Sequence, residues 1–143
     1  MAITNYERVG KALELLKDGL GPYVEREVRS TYGGRAVSEI SRILNNDVQT
    51  AGQPIKNWDS AALLRFMWDG WNDIFRKTLG QAERSLVSEL RDVRNKWAHQ
   101  ETFSGDDTYR ALDSESRLLS AISASQVDEI DKIKMEGLVK ALV

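Results

Sequence analysis

The stretch RDVRNKWAHQ, residues 91–100, brings together Arg94, Asn95 and, five positions after the arginine, His99. These residue types suit acid–base work on a phosphodiester. His99, the one histidine of the chain, carries an imidazole, a side chain able to take or give a proton. Arg94 is permanently cationic, and its planar fork matches a phosphate. Asn95 can orient the imidazole or a phosphate oxygen. Cleaving a phosphodiester through a neighbouring hydroxyl with such a set means taking that hydroxyl's proton, protonating the leaving oxygen and holding a cation on the phosphate. One histidine does not easily serve as both acid and base. Five residues of ideal helix also turn a side chain by about 140° net and raise it by about 7.5 Å. Arg94 and His99 of one copy therefore diverge unless the helix ends between them. A two-fold dimer answers both difficulties by bringing two copies of each residue to one cleft. The plain alternative is that Arg94 pairs with Glu89 or Glu101 and His99 is a polar cap on the helix dipole.

Other chemistries find little support. The chain has no cysteine, which removes disulfides, thiol nucleophiles and zinc fingers and fits a reducing compartment. A single histidine argues against a dedicated zinc or di-iron site, and no Gly-rich phosphate loop is present. No cofactor or metal is expected. Asp106 and Asp107 read as a helix cap rather than a catalytic pair. No apolar run approaches the roughly 20 residues that cross a bilayer, and no signal-peptide core opens the chain. A cytoplasmic location without membrane partners is the simplest expectation.

The 143 residues suffice for one domain with a real core, and 41% hydrophobic and 29% charged residues are ordinary for a folded soluble chain. A formal charge of −2 argues against a general nucleic-acid coat. Between positions 76 and 99, however, Arg76, Lys77, Arg84, Arg91, Arg94 and Lys96 outnumber Glu83, Glu89 and Asp92. Such a local surplus can focus an anion, although a solvated helix face would look similar.

The elements that must position the motif are helices. Thr4 and Glu7 form a capping box, after which Tyr6, Val9, Leu13, Leu16 and Leu20 recur at helical steps. Gly19, Gly21 and Pro22 predict a break and a second short helix to about Tyr32. Val37, Ile40, Ile43 and Leu44 mark another helix, followed by a polar stretch, 45–57, that reads as a flexible loop. Asp59 or Ser60 caps a helix whose stripe runs through Leu64, Met67, Trp68, Trp71, Phe75 and Leu79 to a stop at Gly80. That aromatic stripe reads as core rather than as a cofactor slot. Leu86, Leu90, Val93 and Trp97 form the inner face of the motif helix. Asp106 or Asp107 caps the next, with Tyr109, Leu112, Leu119 and Ile122 inward. Ser125 opens a final helix with Val127, Ile130, Leu138 and Leu142 on its apolar stripe. Helices of this length with short connections predict an all-α antiparallel bundle.

With these elements in place, the segment ELRDVRNKWAHQETFSGDDTYRALDSESRLL resembles the HEPN superfamily, whose hallmark is an arginine followed by a histidine after an intervening four to six residues, often with asparagine directly after the arginine. In this chain the interval between Arg94 and His99 is four residues. NYERVGKALELLKDGLGPYVEREV and WDSAALLRFMWDGWNDIF are similar to the Swt-type subgroup. The resemblance covers roughly residues 3–124. It implies a HEPN-type bundle over 1–124 with an extra C-terminal helix over 125–143. It also implies a homodimer with facing motif helices and an RNA-binding domain, in many relatives a metal-independent endoribonuclease, with Arg94, Asn95 and His99 as the catalytic set. Other members only bind RNA or act as dimerisation and interaction modules. Swt-type bacterial copies often form the N-terminal part of larger proteins, some with ATPase regions linked to phage defence. A last helix reaching Val143 without a glycine, proline or polar tail fits such a continuation into a C-terminal effector region.

Overall fold

The computed structural model describes residues 3–45 and 47–142. Among these, every regular element is helical: α1 (Asn5–Tyr32), α2 (Ala36–Leu44), α3 (Val48–Ala51), α4 (Ser60–Asp69), α5 (Gln81–Ala98), α6 (Gly105–Ala121) and α7 (Val127–Leu142), with short 3₁₀ turns between some of them. The all-α bundle expected from periodicity is what forms.

α1 starts where its capping box places it. The Thr4 hydroxyl oxygen accepts the Glu7 N–H at 3.0 Å, and Glu7 Oε1 accepts the Thr4 N–H at 3.2 Å. The predicted break at Gly19–Pro22 does not occur; α1 runs unbroken through Pro22. Gly19 is a contact point instead of a stop, because a Cβ there would lie 2.6 Å from Leu119 Cδ2. Its bare backbone lets α1 and α6 approach closely. Pro22 removes one helical hydrogen bond, to the Asp18 carbonyl, but both residues lie on the exposed side, where water can serve that carbonyl.

Of the stretch expected to be a flexible loop, Asn46 lies outside the described residues, and from Asp47 on the chain is pinned. Asp47 accepts the Thr50 N–H at 3.0 Å to start the single turn of α3, and Arg65 of α4 donates to Asp47 at 2.9 Å. Trp58 is buried, and its indole N–H donates to the carbonyls of Thr50 and Gln53 at 3.0 and 3.1 Å. Polar composition concealed this because one pinning residue, Arg65, lies on another helix and the other, Trp58, lies just past the polar stretch. α4, capped by Asp59, ends at Asp69 rather than Gly80: the Gly70 N–H closes on Phe66 O at 2.8 Å. Trp71, Phe75 and Leu79 stay buried from the irregular segment that follows, which is why they mimic a continued helical stripe. Ser104, not Asp106 or Asp107, caps α6; its hydroxyl accepts the Asp107 N–H at 3.0 Å.

Residue pairs between helices give the topology. Lys134 reaches Asp113 and Ser116 reaches Asp131, so α6 and α7 are antiparallel. Glu89 with Arg110 and Lys96 with Asp107 set α5 antiparallel to α6. Asp59 with Arg94 and Trp68 with Arg84 do the same for α4 and α5. α1 is the spine against which α4, α5, α6 and α7 pack, and Gly19 opposite Leu119 with Asn5 opposite Phe103 makes it parallel to α6. The core joins Leu16, Leu20, Leu64, Leu90, Leu112 and Leu118 to an aromatic chain in which Trp58, Phe66 and Phe75 meet edge to face. α7 buries Ile130 and Ile133, whereas Leu138 and Leu142, expected to face inward, are exposed together with Met135 and Val139.

Candidate functional site

α5 is the element on which the motif depends. Its first turn is closed by Glu83, whose carboxylate accepts the Gly80 N–H at 2.8 Å. Val87 and Leu90 are buried and Leu86, Val93 and Trp97 pack against the core, so the inner face is essentially the expected one with Val87 added. That face sets the azimuth of everything else on the helix. Asn95 and Arg91, four residues apart, lie on the same side of it. His99 and Asn95 are both exposed.

Arg94 lies on the flank of α5 nearest the start of α4. Its Nη2 sits 3.6 Å from Asp59 Oδ2, and the side chain keeps 29% of its surface in solvent. Neither expected partner takes it. Glu89 is engaged by Arg110 and by Ser114 Oγ at 2.9 Å, and Glu101 forms no ion pair among the described residues. In the sequence Asp59 is legible only as a helix cap; its second role follows from the antiparallel α4–α5 pairing, for which no local signal exists.

His99 is the C-terminal cap residue of α5, with its N–H bonded to Asn95 O at 3.0 Å. The next residue, Gln100, adopts the left-handed region at φ 58°. Gln100 N–H bonds Trp97 O at 3.0 Å and Glu101 N–H bonds Lys96 O at 3.1 Å. This is a Schellman ending, with glutamine in the place glycine usually takes. The helix thus holds His99 in its last turn, and the ideal divergence of about 140° between Arg94 and His99 stands. One copy does not aim both at the same atom. The imidazole has no hydrogen bond or ion pair among the described residues.

The surroundings of this helix end are held firmly. Tyr6 stacks on Trp97 with ring centroids 5.4 Å apart, and its hydroxyl donates to Trp97 O at 3.1 Å. Lys96 donates to Asp107 at 3.2 Å and lies 4.8 Å from the Phe103 ring centre. The Lys96 ammonium, followed by the Ser104 groups, holds the Asp107 carboxyl below the usual carboxylate range. Asn5 Nδ2 donates to Phe103 O at 3.1 Å, closing the loop from its far side. The basic surplus seen in the sequence is partly spent on packing: the Arg84 guanidinium lies 4.7 Å from the Trp68 ring centre. Among the described residues no group of three or more His, Asp or Glu is placed to hold a metal, and no helix is long and apolar enough to cross a membrane.

A family model described as Swt1-like HEPN matches residues 11–123, a span that contains Arg94, Asn95 and His99. No curated protein and no solved structure matches the chain.

Proposed function

The chain belongs to the Swt1-like HEPN family, and from that premise we propose that it is an RNA-binding domain that cleaves RNA without a metal, acting as a homodimer. The observation that carries this reading is the state of His99: exposed at the end of a firmly held helix, with an imidazole that has no hydrogen bond or ion pair among the described residues. Asn95 lies one turn earlier, and Arg94 is held only by a long ion pair that is partly open to solvent. A folding requirement would instead bury such groups or pair them closely.

In the proposed reaction the RNA 2′-oxygen attacks the adjacent phosphorus as His99 of one copy takes its proton. The P–O5′ bond breaks, and the second copy's His99 supplies a proton to the leaving oxygen. The products are a 2′,3′-cyclic phosphate and a free 5′-hydroxyl. Arg94 bears on the phosphate charge and Asn95 orients the imidazole or a phosphate oxygen. The divergence of Arg94 from His99 within one chain supports a composite site built from two chains. Light scattering should give twice the monomer mass, and cleavage should persist in EDTA, leave cyclic phosphate ends and vanish in His99→Ala. A monomer at working concentration, or cleavage unaffected by His99→Ala, sinks the proposal.

A second reading is favoured by the Arg94–Asp59 contact: an interaction module in which Arg94 braces α4 against α5 and the domain positions a C-terminal effector, such as an ATPase, within a larger phage-defence or stress-response protein. Wild-type protein that neither binds nor cuts RNA selects this reading.

A further inference from the structure

Away from the motif, α1, the first turn of α6 and the second half of α7 enclose a cleft of ≈ 310 Å³, a size suited to a small organic molecule. Arg8 forms its floor. Only 4% of this residue is exposed, yet its guanidinium has no ion pair among the described residues. Nη1 donates to Asn5 Oδ1 at 3.3 Å, and among the described residues the buried Nε has no partner. An arginine held this far from water without a carboxylate is costly. The geometry also keeps it in place. Gly137 of α7 lies flat against it, so that a Cβ there would come within 3.1 Å of Arg8 Cδ and 3.2 Å of Nε.

The rest of the cleft complements a negative group beside an apolar one. Gly105 and Asp106, the first two residues of α6, line it, and N–H groups at these positions have no partner inside a helix. Ser104 serves the amide of Asp107 instead. Lys134 also lines the cleft, but its charge is already shared between Asp113 and Asp131 at 3.3 and 3.4 Å. Among the described residues Arg8 is therefore the cation of this cleft without an ion pair. Asp106 is the one acid on the wall, at the exposed rim. Tyr109, Leu112, Leu138 and Ala141 supply the apolar side.

We propose that this cleft binds a small organic anion, a carboxylate or phosphate carried on a compact apolar body, with the anionic group on Arg8 and the start of α6. The site is separate from the α5 motif and does not depend on the RNA reading. Amide chemical shifts of isotopically labelled protein test it during titration with benzoate, phenyl phosphate, inorganic phosphate or benzyl alcohol. Benzoate or phenyl phosphate should saturably shift the amides of Gly105, Asp106 and Gly137, and benzyl alcohol should not. Which of the two binds more tightly assigns the head group as carboxylate or phosphate; inorganic phosphate should bind more weakly than phenyl phosphate. Arg8→Met should weaken binding by about tenfold or more, as expected for loss of a charge-assisted hydrogen bond. Because Arg8 is buried, Ala141→Phe provides an independent arm: it fills the cleft from an exposed helix position, and binding should be lost with the fold intact. The proposal is overturned if no anion produces saturable shifts at these amides, if benzyl alcohol binds as well as benzoate, or if Ala141→Phe binds like the wild type.

Discussion

Asp59 serves two helices with its two carboxylate oxygens: Oδ1 accepts the Ala62 N–H at 2.8 Å and caps α4, while Oδ2 faces Arg94 of α5 at 3.6 Å. The two halves of this arrangement carry different weight. The cap satisfies a helix-end donor, whereas the ion pair is long, and Asp59 keeps 62% of its side-chain surface in solvent. Asp59→Ala should therefore cost about 1 kcal/mol through the cap, and Arg94→Ala within about 1 kcal/mol. Urea midpoints measure both. A loss of several kcal/mol in Arg94→Ala would make the arginine a structural brace and favour the interaction-module reading.

The end of the motif helix offers a gain. Gln100 sits at φ 58°, where a side chain carries a steric penalty of about 1–2 kcal/mol that glycine avoids. Part of that returns as the extra flexibility of unfolded glycine. Gln100→Gly should raise stability by up to about 1 kcal/mol, visible as a higher urea midpoint with unchanged slope. A drop would mean that the glutamine side chain contributes more than its backbone strain removes.

Glu115 is fully buried, and neither carboxylate oxygen has a hydrogen-bond partner. Burial pushes its carboxyl well above the ordinary value of 4.5. The folded chain therefore keeps this proton at pH values where the unfolded chain has released it. The group's contribution to stability is whole below the unfolded pKa and declines as pH rises toward the folded one. As pH rises above the ordinary carboxyl value of 4.5, the wild type should lose stability relative to Glu115→Gln, which cannot ionise. Glu115→Met should be more stable than wild type at about pH 8 by about 1–3 kcal/mol, the cost of an unsatisfied buried polar group. Parallel pH profiles for wild type and Glu115→Gln would refute this.

Two glycines of α1, two residues apart, should respond with opposite signs. At Gly19 an added methyl meets Leu119 Cδ2 at 2.6 Å and Ala124 Cβ at 3.3 Å, whereas at Gly21 nothing lies within 4 Å. Gly19→Ala should cost about 1–3 kcal/mol from overpacking, and Gly21→Ala should gain about 0.5–1 kcal/mol from helix propensity. Thermal melts of the two variants decide it; equal shifts would mean that α1 and α6 separate easily at this point.

The same pair explains what the sequence could disclose. Features set by neighbours in the chain were legible: the Thr4–Glu7 box, a cap at Asp59 or Ser60 and the apolar spacing of α5. Gly19 and Pro22 misled because a break rule is local, while the reason for Gly19 is Leu119, a residue far along the chain on α6. Likewise Trp71, Phe75 and Leu79 face the core from irregular backbone, and periodicity alone cannot tell that from two more turns of helix. Leu138 and Leu142 continue the apolar pattern of α7 at positions that the fold leaves exposed, which spacing alone does not reveal. At the site, residue types and spacing pointed to Arg94, Asn95 and His99, but Asp59 and the Arg8 cleft arise only when distant helices meet.

Tyr6 gives the motif an unexpected dependence. One side chain, two residues past the capping Thr4, supplies both the ring that stacks on Trp97 and the hydroxyl bonded to its carbonyl. Asn5 beside it holds the loop at Phe103. The first turn of α1 is thus a strut for the helix end that carries His99, although it lies some ninety positions away in sequence. An affinity tag or fusion partner joined ahead of Thr4 is therefore attached almost at the site itself, and assays of His99 should be run on protein whose N-terminus has been freed of it.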